Sequence, residues 1–344
     1  MKNDESFSYY VQTFLDHHIC GERGLSQNTF ISYEHTFSQL TEYLYSQLNN
    51  RKKKVTMADF NSENISSFLN HLEQMGMSIS TRNQRLATIK SFCKYVRFKS
   101  PRYLHNIEQV LNISRKKEPT STIQYLSREQ LERLLYKPDN TNYYGFKDLL
   151  LLTVMSDTGA RVSEIINIKI SDLTLTQPAT ILVHGKGNKD RYVTISQKTC
   201  DLLNLYLDKE NLRSVVCAER NLFLNRSGQP FTRAGIAYIL QKYTSQLHSE
   251  DPLSFPEKLT PHCLRHTKAM LMLDAGQNLV YIRDTLGHEH IKTTEIYARI
   301  NSKQKQAALD AVNSKIRVPD TSNIDYKHDP TRRAWLRDYC SEDR

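Results

Sequence analysis

The run Ser114-Arg-Lys-Lys-Glu-Pro-Thr-Ser-Thr122 does most to limit what this chain can fold into. It holds charged and small polar residues and one proline, so it has no apolar surface to bury and no reason to continue a helix. The apolar residues on its two sides must therefore be buried separately, which predicts two domains joined by an exposed linker. A length of 344 residues with 39% hydrophobic content supplies two cores of ordinary size. The expected layout is a domain over 1–113, a linker over 114–123, a second domain over 124–315 and a polar tail over 316–344.

Before the linker the apolar period is helical throughout. Phe7, Tyr10, Val11 and Phe14 share one helix face. Phe30, Tyr33, Phe37, Leu40 and Leu44 share another, on a long helix with Ser26 as its expected cap. A third helix starts near Ser62 and stops at Gly76, a fourth capped by Ser80 ends before Pro101, and a short fifth runs through Ile113. In the fourth, Ile89, Phe92, Cys93 and Val96 form an apolar stripe, with Lys90, Lys94 and Arg97 beside it. No acidic residue occurs from Gln74 to Ile107, a stretch that includes Arg82, Arg85, Lys99 and Arg102 as well. A solvated basic face is the plain reading of one such helix. The length of the acid-free gap favours contact with a phosphate backbone, and Arg82, Arg85, Lys90, Lys94 and Arg97 are the candidate DNA-binding residues.

After the linker the pattern is mixed. Ser127 and Gln130 have the spacing of a capping box. A buried helix over Phe146–Asp157 is broken by Gly159, and another begins at Arg161. The period then shortens to two over 180–183 and 191–195, on either side of His184-Gly-Lys-Gly-Asn-Lys-Asp190, which predicts a β-hairpin. Helices return over 202–207, 233–246, 262–275, 279–286 and 303–313. The expected fold class is mainly α with a small antiparallel β-sheet (α+β).

The formal net charge of +10 points to a polyanionic partner, nucleic acid before anionic membrane. Six scattered cysteines without a Cys-x-x-Cys pair indicate neither a zinc ribbon nor a disulfide framework and fit a reducing cytosol. The N-terminus lacks the apolar stretch of a signal peptide. The longest apolar run, Leu149–Met155, is interrupted by Thr153 and falls far short of the roughly 20 residues that span a bilayer. There is no Walker-type or Gly-x-Gly-x-x-Gly loop for a nucleotide.

The densest chemistry lies between His262 and Tyr297, which enclose Arg265, His266 and His288. His262 and His266 are spaced like a metal-binding pair on a helix. Cys263, however, stands where a zincin carries glutamate, and Arg265 would aim a cation at the metal, so no metal is expected and His266 reads as a core histidine. Arg161 follows a glycine-ended helix. It either presents its fork to an anion at a helix start or pairs on the surface with Glu164. Lys186 is at the hairpin tip, as a solvated turn residue or a lysine reaching into a groove, with Lys189 and Arg191 as rivals. Tyr297 is either an amphipathic anchor beside Ile296 or a nucleophile, in which case nearby cations are expected to lower its pKa from about 10.

Each of these residues alone is weak, but their order is not. Arg161 in Thr-Gly-Ala-Arg-Val-Ser-Glu, Lys186 in a glycine-rich hairpin, His262-x-x-Arg265, Leu-Gly-His288 and Tyr297 nine residues on together resemble the tyrosine recombinase (phage integrase) family, in its mobile-element form. The resemblance covers residues 124–313 nearly end to end and extends to a helical core-binding half, SAM-like in fold. It implies a C-shaped clamp around duplex DNA, a tetramer acting on two recombination sites, possible further recombinase subunits, and a cytoplasmic, nucleoid-associated place of action. It implies that Tyr297 attacks a backbone phosphate to form a 3′-phosphotyrosyl bond, that Arg161 and Arg265 clamp the non-bridging oxygens, and that Lys186 protonates the departing 5′-oxygen. His262 and His288 assist by hydrogen bonding and proton transfer, and strand exchange passes through a Holliday junction. No metal or ATP is required, so no cofactor is expected. A type IB topoisomerase using the same chemistry, a non-catalytic DNA-binding relative and a metal-dependent hydrolase remain as rivals at this point.

Overall fold

The computed structural model describes residues 6–22, 27–47, 54–118, 123–185 and 189–300. Ser26, Lys186, the stretch 303–313 and the tail over 316–344 lie outside them. The chain forms two compact units divided between Ser121 and Thr122.

The first unit is helical. It comprises α1 (Phe7–Thr13), which continues in wider π-helical turns over Phe14–Glu22, then α2 (Gln27–Gln47), α3 (Ser62–Gln74), α4 (Ile79–Lys99) and α5 (Leu104–Leu111). Its core is rich in aromatic rings: Phe92 of α4 packs edge-on against Phe14 at 5.4 Å and Phe60 at 5.3 Å between centroids. Gly76, at φ +79°, turns the chain after α3. The cap of α4 is Ser78 rather than the expected Ser80, its hydroxyl accepting from the Thr81 N–H at 3.1 Å.

Two of the five candidate DNA contacts are corrected here. Arg82 and Arg85 are only 5% and 9% exposed. Arg82 pairs with Glu73 at 3.0 Å, and Arg85 donates to Thr36 Oγ1 and bonds His35 Nδ1. The physical reason is register: Arg82 and Arg85 lie seven and four residues before Ile89, on the line of the apolar stripe, so the stripe carries them inward. The start of the expected linker also belongs to this unit. Buried Asn83 bonds the Lys116 backbone on both sides, accepting from its N–H at 3.0 Å and donating to its carbonyl at 2.8 Å.

The second unit comprises α6 (Arg128–Tyr136), α7 (Tyr143–Thr158), α8 (Val162–Asn167), β1 (Leu173–Thr174), β2 (Thr180–His184), β3 (Asp190–Thr194), α9 (Gln197–Lys209), α10 (Arg233–Glu250), α11 (Pro261–Asp274), α12 (Leu279–Leu286) and α13 (Lys292–Ile300). The capping box of Ser127 and Gln130 starts α6. The hairpin is antiparallel, with buried Ile181 opposite buried Val193, and β1 adds a third strand in the order β1-β2-β3. Two residues are too few to show a period, so β1 has no signature in the sequence. α7 is buried almost all round, and α9, α10 and α11 pack on the same core. A smaller cluster of Met270, Leu273, Ile282, Leu286 and Tyr297 fastens α11, α12 and α13 together. No described helix is long and apolar enough to cross a membrane.

Candidate active site

The site forms where two helices end and a third begins. α7 ends at Gly159 with φ +60°, and α12 ends at Gly287 with φ +66°. Both turns favour glycine for φ, and a Cβ at either would also push on a neighbouring side chain. A Cβ would lie 2.8 Å from Leu286 Cδ2 at Gly159 and 2.7 Å from Arg191 Nη1 at Gly287. Helix ends leave carbonyls without intrahelical partners and carry partial negative charge. Arg265 of α11 uses both: Nη1 donates to the Gly159 carbonyl at 3.0 Å and Nη2 to the Leu286 carbonyl at 2.6 Å. It is 1% exposed. Burial, with the repulsion of Arg161, pulls its pKa down to about 10, which leaves it charged at neutral pH. Among the described residues nothing accepts from its buried Nε–H.

Arg161 is the N-cap residue of α8, held there by Glu164. Its backbone N–H donates to Glu164 Oε2 at 2.9 Å, its Nη1 to Oε1 at 2.7 Å and its Nη2 to the Gly287 carbonyl at 3.2 Å. The pairing with Glu164 is present, to a buried rather than a surface carboxylate, and 37% of the Arg161 side chain is still exposed. Arg191 of β3 joins the same carboxylate at 2.9 Å and donates Nε to the Thr285 carbonyl. Burial works to raise the pKa of Glu164, but the bonds from Arg191 and Arg161 outweigh it and keep the carboxylate below its ordinary range. Two guanidiniums therefore pair with one buried carboxylate, a third, Arg265, is bonded only to carbonyls, and the surplus charge suits an anion with phosphate geometry.

Tyr297 on α13 faces this cluster and is 1% exposed. Its Oη is hydrogen-bonded to His266 Nδ1 at 2.9 Å. His262 and His266, one turn apart on α11, meet edge to face with ring centroids 4.6 Å apart. The His288 ring lies nearly parallel to that of Tyr297, at 6.4 Å, and bonds Thr294 Oγ1 through Nδ1. Burial, then the neighbouring cations and imidazoles, brings His266 and His288 down to about 4. His262, the most exposed of the three, is lowered in the same way, with Arg265 and Arg161 as the charges responsible. The expectation for Tyr297 is reversed: burial raises its pKa and outweighs the opposing pull of Arg265. His266 is also more than a core histidine, since it touches the expected nucleophile. Among the described residues no group of three or more His, Cys, Asp or Glu side chains could hold a metal.

The phage integrase family model matches residues 124–304, and the model of its N-terminal SAM-like domain matches 11–98. The chain belongs to the phage integrase family of tyrosine recombinases. It is 32% identical over 310 residues to the integrase/recombinase y4rC of Sinorhizobium fredii, covering 90% of this chain and 92% of that one. It is 29% identical to tyrosine recombinase XerD of Staphylococcus haemolyticus, covering 82% and 91% respectively. In fold it is similar to the Tn1549 transposon integrase in complex with transposon right end DNA, with a TM-score of 0.68 at 15% identity over 88% of this chain and 99% of that chain. The XerH recombinase bound to its palindromic difH substrate gives 0.62 at 23% identity, over 87% and 84%. As a tyrosine recombinase the chain is a site-specific DNA recombinase.

The recombinase's remaining candidate residues divide. Lys186 lies outside the described residues, but both of its rivals have partners: Lys189 pairs with Glu289 at 2.7 Å and Arg191 with Glu164. Lys94 and Arg97 are exposed on α4 and Lys90 is half-buried, with Arg97 in an exposed pair with Glu108 at 3.2 Å.

Proposed function

We propose that this recombinase cuts and rejoins double-stranded DNA through a 3′-phosphotyrosyl bond to Tyr297. The observation that carries the proposal is the convergence of Arg161, Arg265, His262, His288 and Tyr297, which come from three separate parts of the sequence, around one cluster of surplus positive charge. Arg161 and Arg265 hold the non-bridging oxygens of the scissile phosphate, with the unmet Nε–H of Arg265 as an available donor. Lys186 is the general acid for the departing 5′-oxygen. His262 and His288, neutral at pH 7, hydrogen-bond the phosphate as charge builds on it. The phosphotyrosyl bond retains the energy of the phosphodiester, so a 5′-hydroxyl of a partner strand reseals it by way of a Holliday junction.

Residues 1–113 act as the core-binding domain and 124–315 as the catalytic domain, with 114–123 between them. Lys90, Lys94 and Arg97 supply backbone phosphate contacts, and Arg82 and Arg85 support the helix that presents them. The recombinase works as a tetramer on two sites. A groove of about 880 Å³ lined by Leu131, Leu135, Leu271, Met272 and Tyr281 takes the 303–313 stretch of a neighbouring copy, since 44 residues follow Ile300. Integration, excision or transposition of a mobile element in the cytoplasm is its role. The resemblance to y4rC and the fold shared with the Tn1549 integrase support that reading.

The test is a nicked suicide duplex built from the DNA that flanks the gene. Wild-type protein forms a covalent protein–DNA complex on it, and Tyr297→Phe binds the duplex without forming one. An adduct made by Tyr297→Phe would mean another nucleophile.

A further inference from the structure

We propose that His266 is the general base of this reaction, taking the phenolic proton of Tyr297 as its oxygen attacks the phosphate. The inference rests on the reading of Tyr297 as nucleophile and gives to His266 the proton transfer from the phenol, in place of the His262 and His288 that the family resemblance implies. Oη of Tyr297 and Nδ1 of His266 are 2.9 Å apart, within the reach a proton transfer needs. Neither of the other imidazoles is placed this way. His288 directs Nδ1 to Thr294 Oγ1 and lies nearly parallel to the tyrosine ring, and His262 meets the His266 ring.

The electrostatics make a base necessary. Burial keeps the phenol of Tyr297 protonated at pH 7, and Arg265 does not offset it. The same burial keeps His266 neutral, so Nδ1 has a free lone pair when Nε2 carries the ring proton. The groups facing His266 are His262 and Arg265 on its own helix, Tyr297 from α13 and His288 from the turn after α12. Arg265 disfavours a proton on His266 in the resting state. A phosphate bound to Arg161 and Arg265 offsets that repulsion as its own negative charge grows, so proton transfer and attack proceed together.

The step balances. The Oη–P bond forms, the P–O5′ bond breaks, the phenolic proton moves to Nδ1 of His266, and the 5′-oxygen takes a proton from Lys186. On resealing, the attacking 5′-hydroxyl gives its proton back to that lysine, the Oη–P bond breaks, and the His266 imidazolium returns its proton to Tyr297.

Single-turnover cleavage of the nicked suicide duplex, followed from about pH 5 to pH 10, tests the assignment with wild type, His266→Ala, His266→Asn, Lys186→Ala and Tyr297→Phe. His266→Ala is expected to slow adduct formation by about 10²- to 10⁴-fold at pH 7 with DNA affinity unchanged. The deficit should shrink as pH rises, because ionisation of the phenol replaces the base. His266→Asn, whose amide oxygen can accept the same bond but cannot carry the proton, should remain slow. A 5′-bridging phosphorothiolate duplex, whose sulfur departs without a proton, should restore Lys186→Ala and leave His266→Ala slow.

A wild-type rate in His266→Ala overturns the proposal. A faster rate would mean that His266 restrains the tyrosine, and full recovery in His266→Asn would mean that it only positions it. A deficit independent of pH, or rescue by the phosphorothiolate, would likewise overturn it. An adduct in Tyr297→Phe removes the nucleophile reading itself, whereas its absence leaves that reading standing whatever His266→Ala does.

Discussion

Glu164 offers the sharpest test of how the site is held together. Its carboxylate has 3% of its side-chain surface exposed and binds the Arg161 N–H, Arg161 Nη1 and Arg191 Nη2. Glu164→Gln keeps the shape but removes the charge, and it turns an N–H₂ group towards N–H donors. Leaving the largely buried Arg191 guanidinium without its partner costs about 3–5 kcal/mol, and the loss at the partly exposed Arg161 adds little. For a unit of this size each kcal/mol moves the thermal midpoint by roughly 2–4 °C, so a fall of about 6 to 20 °C is expected at pH 7. Arg161 then keeps the Gly287 carbonyl and competes with Arg191 for the single Gln oxygen, and a displacement of its fork by about 1 Å lowers cleavage by about 100-fold. The pH dependence has a definite sign. The folded-state pKa of Glu164 lies below its ordinary value, so its contribution is complete above the unfolded pKa of about 4.3 and is lost as pH falls through the folded value. The gap in thermal midpoint between wild type and Glu164→Gln, measured by circular dichroism, should be full at pH 7 and close in acid. Equal midpoints at pH 7, or a gap that widens in acid, would refute this account of the cluster.

Other perturbations separate chemistry from binding. Arg265→Ala should lower suicide-substrate cleavage by at least about 10²- to 10³-fold, while gel-shift affinity changes by only a few-fold. Lys94→Gln should reduce the slope of log affinity against log salt by about 0.9, measured by fluorescence anisotropy on duplex DNA. Arg82→Gln should leave that slope unchanged and lower the thermal midpoint of the first unit instead, because Arg82 is paired with Glu73 inside it.

What was legible in the sequence followed from local rules. The capping box at Ser127, the glycine stops at Gly76 and Gly159, and the hairpin on either side of Lys186 depend on neighbours a few residues away. The order Arg161, His262, Arg265, His288, Tyr297 was readable as a list. Why they meet was not, since Arg265 is held by the carbonyls of Gly159 and Leu286, both far from it in the chain. The basic stretch of α4 misled because composition has no direction. Counting back from Ile89 in steps of four and seven places Arg85 and Arg82 on the buried line, a signal that was available. His266 had a weaker signal, its i+4 relation to His262, which shows a shared face but not that Tyr297 approaches it. The direction of the Tyr297 shift was inaccessible, because it depends on burial against α11 and α12 rather than on the count of nearby cations.

The central claim is that Tyr297 becomes covalently joined to DNA. Mass spectrometry of the trapped complex, after nuclease trimming and proteolysis, tests it most directly. A 3′-phosphonucleotide on the phenolic oxygen of Tyr297, with a free 5′-hydroxyl on the released strand, is the expected result. A nucleotide on another residue, such as Tyr281, or a 5′-linked adduct on Tyr297 would contradict it.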